Sequence, residues 1–78
     1  MQDFIFKKKA LKFLKKQSKI DQDRLITAIY RIPKGDIKNM ADYDNLKRLR
    51  VGKYRILFTE MDEGIEILNI GSRGDIYK

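Results

Sequence analysis

The 78-residue sequence contains no cysteine and no histidine. Without cysteine there is no disulfide and no thiolate nucleophile, a usage that suits the cytoplasm. Without histidine the commonest general base and the commonest transition-metal ligand are both missing. No apolar run is long enough to span a bilayer, and no signal-peptide pattern opens the chain. Phosphate-cradling glycine loops, zinc-ligand spacings and Ser/His/Asp sets are absent as well. The acids Asp62, Glu63 and Glu66 gather at a turn, which argues against a two-metal carboxylate site. A chain of this length reads as one small domain, residues 1–78, of modest stability.

What is present is positive charge, +7 in net terms. Its distribution is uneven. Met1–Ile20 carries seven lysines against one aspartate, Leu46–Phe58 five basic residues and no acid, and Thr59–Ile67 four acids and no base. One reading is a polyanionic partner, either nucleic acid or an acidic protein segment. The other is a solvated surface with an ordinary lysine excess. The N-terminal lysines fit the solvated reading, since charge blocks on helices usually face water. The arginines of the second half fit the polyanion, because strand pairing concentrates them.

Leu46–Val51 and Tyr54–Thr59 alternate and meet at Gly52-Lys53, a two-residue hairpin signal. A third run, Ile65–Gly71, follows the turn Met61–Gly64, completing an antiparallel meander. Alternation puts Tyr54, Ile56 and Phe58 on one face, and Arg55, Leu57 and Thr59 on the other. In the last strand the parity of Ile65, Ile67 and Asn69 continues to Gly71 and Arg73. Asp3–Phe6 reads as a first strand beside the meander. Phe6, Ala10, Phe13, Leu14 and Gln17 follow helical spacing, giving a helix over roughly 7–17. Membrane-surface binding by this basic helix competes with the need for its apolar stripe in the core. Asp21 is the expected N-cap of a second helix, with Ile20 and Leu25 as a hydrophobic staple. Leu25, Ala28, Ile29 and Ile32 form its buried stripe, and Pro33 and Gly35 end it. Lys34–Asn45 reads as irregular, pinned by Ile37 and Met40. The order β-α-α-β-β-β makes an α+β architecture, a helical hairpin on one face of a twisted, mainly antiparallel sheet.

Arg48, Arg50, Arg55 and Arg73 can surround a phosphodiester. A guanidinium matches phosphate oxygens with a planar fork and keeps its charge. Such a cluster stabilises the extra charge of a pentacoordinate transition state. Tyr77 can stack on a base or handle a proton, helped by neighbouring arginines that favour the phenolate. RNA supplies its own nucleophile, the 2′-hydroxyl, so no metal is needed. The plainer alternatives are arginines paired with acids of the next strand, and Tyr77 as a terminal packing residue. Tyr54 reads as core, by its parity with Ile56 and Phe58.

Two segments, DNLKRLRVGKYRILF (44–58) and ILNIGSRGDIY (67–77), resemble motifs of the RelE/ParE superfamily of type II toxin–antitoxin toxins. The element order agrees across nearly the whole chain. The resemblance implies the RelE-like microbial ribonuclease fold and, on the RelE branch, a ribosome-dependent messenger RNA endonuclease (an mRNA interferase). It would cut codons in the A site by metal-independent 2′-hydroxyl attack, without cofactor. By position, Arg55 would stabilise the transition state. Arg73 would contact the scissile phosphate or protonate the leaving group, and Tyr77 would stack on the codon or accept the proton. Lys47, Arg48, Arg50 and Lys53 would contact RNA. Implied partners are a cognate antitoxin such as a RelB-like protein, the ribosome and mRNA, with no membrane. The expected state is a monomeric toxin inside a hetero-oligomeric complex in the cytoplasm. Ser72 and Gly74 replace residues that are often basic in relatives, lowering the charge beside Arg73. Two alternatives stay open: a ParE-like inhibitor of DNA gyrase, and a catalytically idle RNA- or antitoxin-binding module.

Overall fold

A computed structural model describes residues 3–40 and 45–72. The elements run β1 (Asp3–Phe6), α1 (Lys8–Lys15), α2 (Lys19–Tyr30), β2 (Asp36–Asn39), β3 (Leu46–Val51), β4 (Tyr54–Met61) and β5 (Gly64–Ser72). The strands form a five-stranded sheet in the order β1-β5-β4-β3-β2. The three expected strands pair antiparallel, while β1 adds parallel to β5. Gly52 takes a φ of +59° at the first central position of the β3–β4 hairpin, the place a type II′ turn gives to glycine.

Both helices lie on one face. Ala10 and Leu14 of α1, with Leu25 and Ile29 of α2 and Ile32 beyond it, pack on Leu49, Tyr54, Ile56, Phe58, Ile65, Ile67 and Ile70. α1 lies against β5 and α2 against β3. Phe4 and Phe6 of β1 join this layer from the edge, and Phe4 meets Tyr30 with ring centroids 4.8 Å apart. Among the described residues no helix is long and apolar enough to cross a membrane.

Several expectations change. First, the stretch read as irregular contains β2, which pairs antiparallel with β3 from Asp36↔Arg50 to Asn39↔Lys47. Asp-Ile-Lys-Asn carries little strand propensity of its own. Docking makes the strand: Ile37 packs on the core opposite Leu49. Met40 is tied by its amide to the Leu46 carbonyl at 2.9 Å.

Second, the N-cap of α2 is Ser18, not Asp21. The Ser18 hydroxyl accepts from the Asp21 amide at 3.2 Å, which makes Asp21 the third helical residue. Third, the staple does not form, because Ile20 is 78 % exposed while Leu25 is fully buried. A polar link takes its place, the Gln22 side-chain amide donating to the Gln17 carbonyl at 3.1 Å. α1 is also shorter than its periodicity suggested, closing at Lys15.

Fourth, β5 carries a bulge. Leu57 pairs with Asn69 but Phe58 with Ile67, so Leu68 is the extra residue and parity switches there. Ile70 takes over the core side that Ile65 and Ile67 began, and Asn69 and Gly71 turn to the other face.

β5 opens on Gly64, whose φ is +154° and which pairs with Asp3. A Cβ there would collide with the Asp3 carbonyl oxygen and crowd its amide nitrogen at 3.0 Å. Gly64→Ala should cost roughly 3 kcal/mol, from backbone strain plus overpacking against rigid backbone. Urea unfolding measures it, and amide exchange should show β1 loosened more than β3.

Candidate nucleic-acid interface

The sheet face away from the helices carries the arginines. Arg48 and Arg50 of β3 share it with Arg55 of β4, because each lies one residue off the buried Leu49, Tyr54 and Ile56. Arg50 and Arg55 are direct cross-strand partners. Like charges opposite each other are unfavourable for the sheet. Yet among the described residues neither arginine has a carboxylate within ion-pair distance. This arrangement suits an external anion better than it suits the fold.

The other basic side chains fall into distinct places. Arg48 is only 14 % exposed, with its Nη2 3.7 Å from the Asp36 carboxylate on β2. Its Nε is buried and has no hydrogen-bond partner among the described residues. Arg48 therefore fits the expected pairing with a neighbouring acid and supports the face from within. Lys47 projects to the helix side, where its Nζ meets Glu60 at 2.7 Å. Strand parity separates it from Arg48 and Arg50, although all three are adjacent in sequence. Lys53 stands at the hairpin tip, with its Nζ 5.3 Å from the Tyr54 ring centroid. Arg73 and Tyr77 lie outside the described residues.

The Arg55 guanidinium folds back on its own hairpin, donating from Nη1 to the carbonyls of Gly52 and Tyr54 at 3.3 and 3.2 Å. Those long bonds are weak next to a charge-assisted pair with phosphate, so an anion can draw the side chain out. Asp36, the cross-strand partner of Arg50 on β2, is the acid beside this cluster, and its carboxylate lies by Arg48. Asp62 and Glu63 form the β4–β5 turn, past Met61 at the far end of β4. Six strand steps separate Met61 from Arg55, about 20 Å. This is well beyond the screening length of about 8 Å at physiological salt. Asp62 and Glu63 are therefore too far away to neutralise the arginines by the β3–β4 hairpin.

Tyr54 fastens the basic end to the helices. Its phenol has one proton and two acceptors, the Asp21 carboxylate at 2.8 Å and the Gln17 side-chain oxygen at 3.1 Å. The hydrogen bond to Asp21, then burial, then the Asp21 charge push the phenol above its ordinary pKa, against a weaker opposing pull from Arg24. The protonated phenol is thus favoured in the folded state. Its stabilisation is complete below the unfolded-state value of about 10 and is lost as pH rises through the higher folded-state value. Tyr54→Phe should lower the urea midpoint at pH 7. Scanned upward in pH, the gap between the two proteins should close above about pH 10.

Residues 4–77 match the family described as "ParE toxin of type II toxin-antitoxin system, parDE". The chain belongs to this ParE toxin family. No curated protein matches the sequence. Among solved structures, a chain of the RelB–RelE antitoxin–toxin complex from Methanococcus jannaschii is 29 % identical, with 94 % of each chain covered and a TM-score of 0.77. A chain of the archaeal RelE–RelB complex from Pyrococcus horikoshii OT3 is 24 % identical, with 95 % of this chain and 97 % of that one covered and a TM-score of 0.73. The isolated E. coli RelE toxin is 18 % identical, with 99 % and 92 % covered and a TM-score of 0.71. The protein is thus a toxin of a type II toxin–antitoxin system with a RelE-like fold.

The sequence left several parts of this ParE-family toxin's basic end unmarked. Arg24 of α2 lies by the hairpin, its Nη1 3.8 Å from where a Cβ on Gly52 would stand. Lys9, Lys12 and Lys16 line a cleft of about 470 Å³ with Phe13 and Asn69–Ser72. Those lysines had the pattern of a solvated helix face. The contact of α1 with β5 is what brings them beside the end of the last strand.

Proposed function

We propose that this toxin is a metal-independent endoribonuclease that cuts messenger RNA on the ribosome, with the basic end of the open sheet face as its RNA contact. The observation that carries the reading is the Arg50–Arg55 cross-strand pair, two guanidinium groups placed together with no carboxylate of the described residues within ion-pair distance of either. The 29 % identity to a chain of a RelB–RelE complex adds weight to the RelE branch. In this mechanism the 2′-hydroxyl of the codon attacks the adjacent phosphorus and gives up its proton. The bond from phosphorus to the 5′-oxygen breaks, a 2′,3′-cyclic phosphate forms, and the leaving oxygen gains a proton. Arg55 swings from the hairpin carbonyls to neutralise the developing charge. Arg50 and Lys53 hold the strand, and Arg48 fixes the floor beneath them. The family register gives Arg73 to the scissile phosphate and Tyr77 to base stacking or proton transfer. Lys47 is the weakest RNA contact of the set, being turned to the other face.

Residues 1–78 would act as one toxin domain in the cytoplasm, held silent by an antitoxin. Similar chains in the M. jannaschii and P. horikoshii structures are held in antitoxin–toxin complexes. The second reading is a gyrase inhibitor, favoured by the family description, which names ParE. Primer-extension mapping of transcripts after induction, run beside a gyrase supercoiling assay, decides between them. Cuts inside translated codons with normal supercoiling support the ribonuclease. Intact transcripts with blocked supercoiling support the gyrase inhibitor.

A further inference from the structure

Among the described residues, Tyr54 is the one buried side chain with a polar atom. Phenylalanine would supply the same apolar ring, so what the hydroxyl adds is direction. It reaches the Asp21 carboxylate in the first turn of α2 and the Gln17 oxygen in the α1–α2 connection. Both anchors are themselves held. The Gln17 Nε2 donates to the Phe13 carbonyl at 3.1 Å, and the Ser18 cap fixes the Asp21 amide. The Phe13 ring meets the Tyr54 ring edge-on, with centroids 6.0 Å apart, which fixes the ring plane. The backbone of the same residue serves the opposite side of the sheet. Arg55 donates from Nη1 to the Tyr54 carbonyl as well as to that of Gly52. Beyond the last cross-strand pair, Val51↔Tyr54, only the exposed Gly52 and Lys53 close the hairpin. One residue thus ties the end of the hairpin to the helices through its side chain and carries the Arg55 guanidinium on its carbonyl.

We propose that Tyr54 is a positioning residue for Arg55: its hydrogen bonds to Asp21 and Gln17 fix the end of the β3–β4 hairpin, and with it the point from which Arg55 extends to an anion. The hydroxyl touches no substrate, because it lies on the helix side and Arg55 on the open face. Its effect passes through the backbone between the two residues. A catalytic group displaced by about 1 Å can lose about a hundredfold in rate. Releasing the tether should therefore cost a large part of what Arg55 contributes, without removing a charge. The effect on rate rests on the ribonuclease reading, whereas the placement of Arg55 does not.

The test compares wild type, Tyr54→Phe, Arg55→Ala, the double variant and Ile65→Val. Ile65 is fully buried at the opposite end of β5, and losing one methyl there should destabilise the fold about as much as losing one hydrogen bond. In single-turnover cleavage on programmed ribosomes, Tyr54→Phe should be at least about tenfold slower than wild type, with ribosome affinity within about twofold. In the Arg55→Ala background the same substitution should change the rate by less than about twofold, because it acts through the missing side chain. Ile65→Val should cut within about twofold of wild type. Equal losses from Tyr54→Phe in the two backgrounds, or an equal loss in Ile65→Val, overturn the proposal. A second readout needs no substrate: the Arg55 Nε–Hε resonance in 15N-labelled protein. It should shift or broaden in Tyr54→Phe and stay in place in Ile65→Val. An Arg55 resonance unmoved in Tyr54→Phe overturns the positioning whatever the cleavage shows. If wild type cuts nothing while the resonance responds to Tyr54→Phe, the ribonuclease reading fails and the positioning stands.

Discussion

Replacing Arg55 by alanine should slow single-turnover cleavage of ribosome-bound messenger at least about a hundredfold, the scale of losing one donor to a developing oxyanion. The same change should leave thermal stability equal or slightly raised. Arg55 faces Arg50 across the β3–β4 ladder, so its removal relieves like-charge repulsion, and the bonds it loses are long ones to turn carbonyls. A purely structural arginine would behave in the opposite way, with stability falling and activity following it. Arg55→Lys keeps the charge but not the planar fork, and should fall between wild type and alanine. Cleavage unchanged in Arg55→Ala would remove this residue from the chemistry.

Phe58→Ala should give the largest loss of stability. Phe58 is fully buried at the centre of the cluster that joins both helices to β3, β4 and β5. Truncating a buried phenylalanine costs about 3–5 kcal/mol. Per-residue stabilities of about 0.05–0.15 kcal/mol give a chain of this size roughly 4–12 kcal/mol in total. The variant should therefore unfold at much lower urea with an unchanged slope, and at the lower end of that range it should be largely unfolded in buffer. A partner that binds only the folded chain should recover it. A midpoint equal to wild type would show that the helix layer is not held through this side chain.

Much of the architecture was legible because it rests on local pattern. The hairpin at Gly52-Lys53, the core parity of Tyr54, Ile56 and Phe58, and the apolar stripe of α2 each follow from spacing alone. What was hidden depends on distant partners. β2 exists because an exposed edge of β3 accepts it, and Asp-Ile-Lys-Asn carries no signal of that. The bulge at Leu68 leaves no mark in an unbroken run of apolar residues, yet it reverses the faces of Asn69, Ile70 and Gly71. Asp21 has the composition of a cap, but its carboxylate is drawn to a phenol 33 residues away. For the candidate site, Arg48, Arg50 and Arg55 do share a face, as alternation predicted. Lys47 does not, for the same reason of parity, and its neighbour Glu60 comes from the next strand. Arg24 joins the hairpin through tertiary packing that no helical period announces. Arg73 and Tyr77 rest on the family register.

The most direct test of the central claim supplies programmed ribosomes with messenger whose A-site codon carries either ribose or 2′-deoxyribose at the position before the scissile phosphate. The purified toxin should cut the ribose codon, leave a 2′,3′-cyclic phosphate on the upstream fragment, and leave the deoxy codon whole. Uncut ribose messenger, with gyrase supercoiling blocked by the same preparation, would contradict the account.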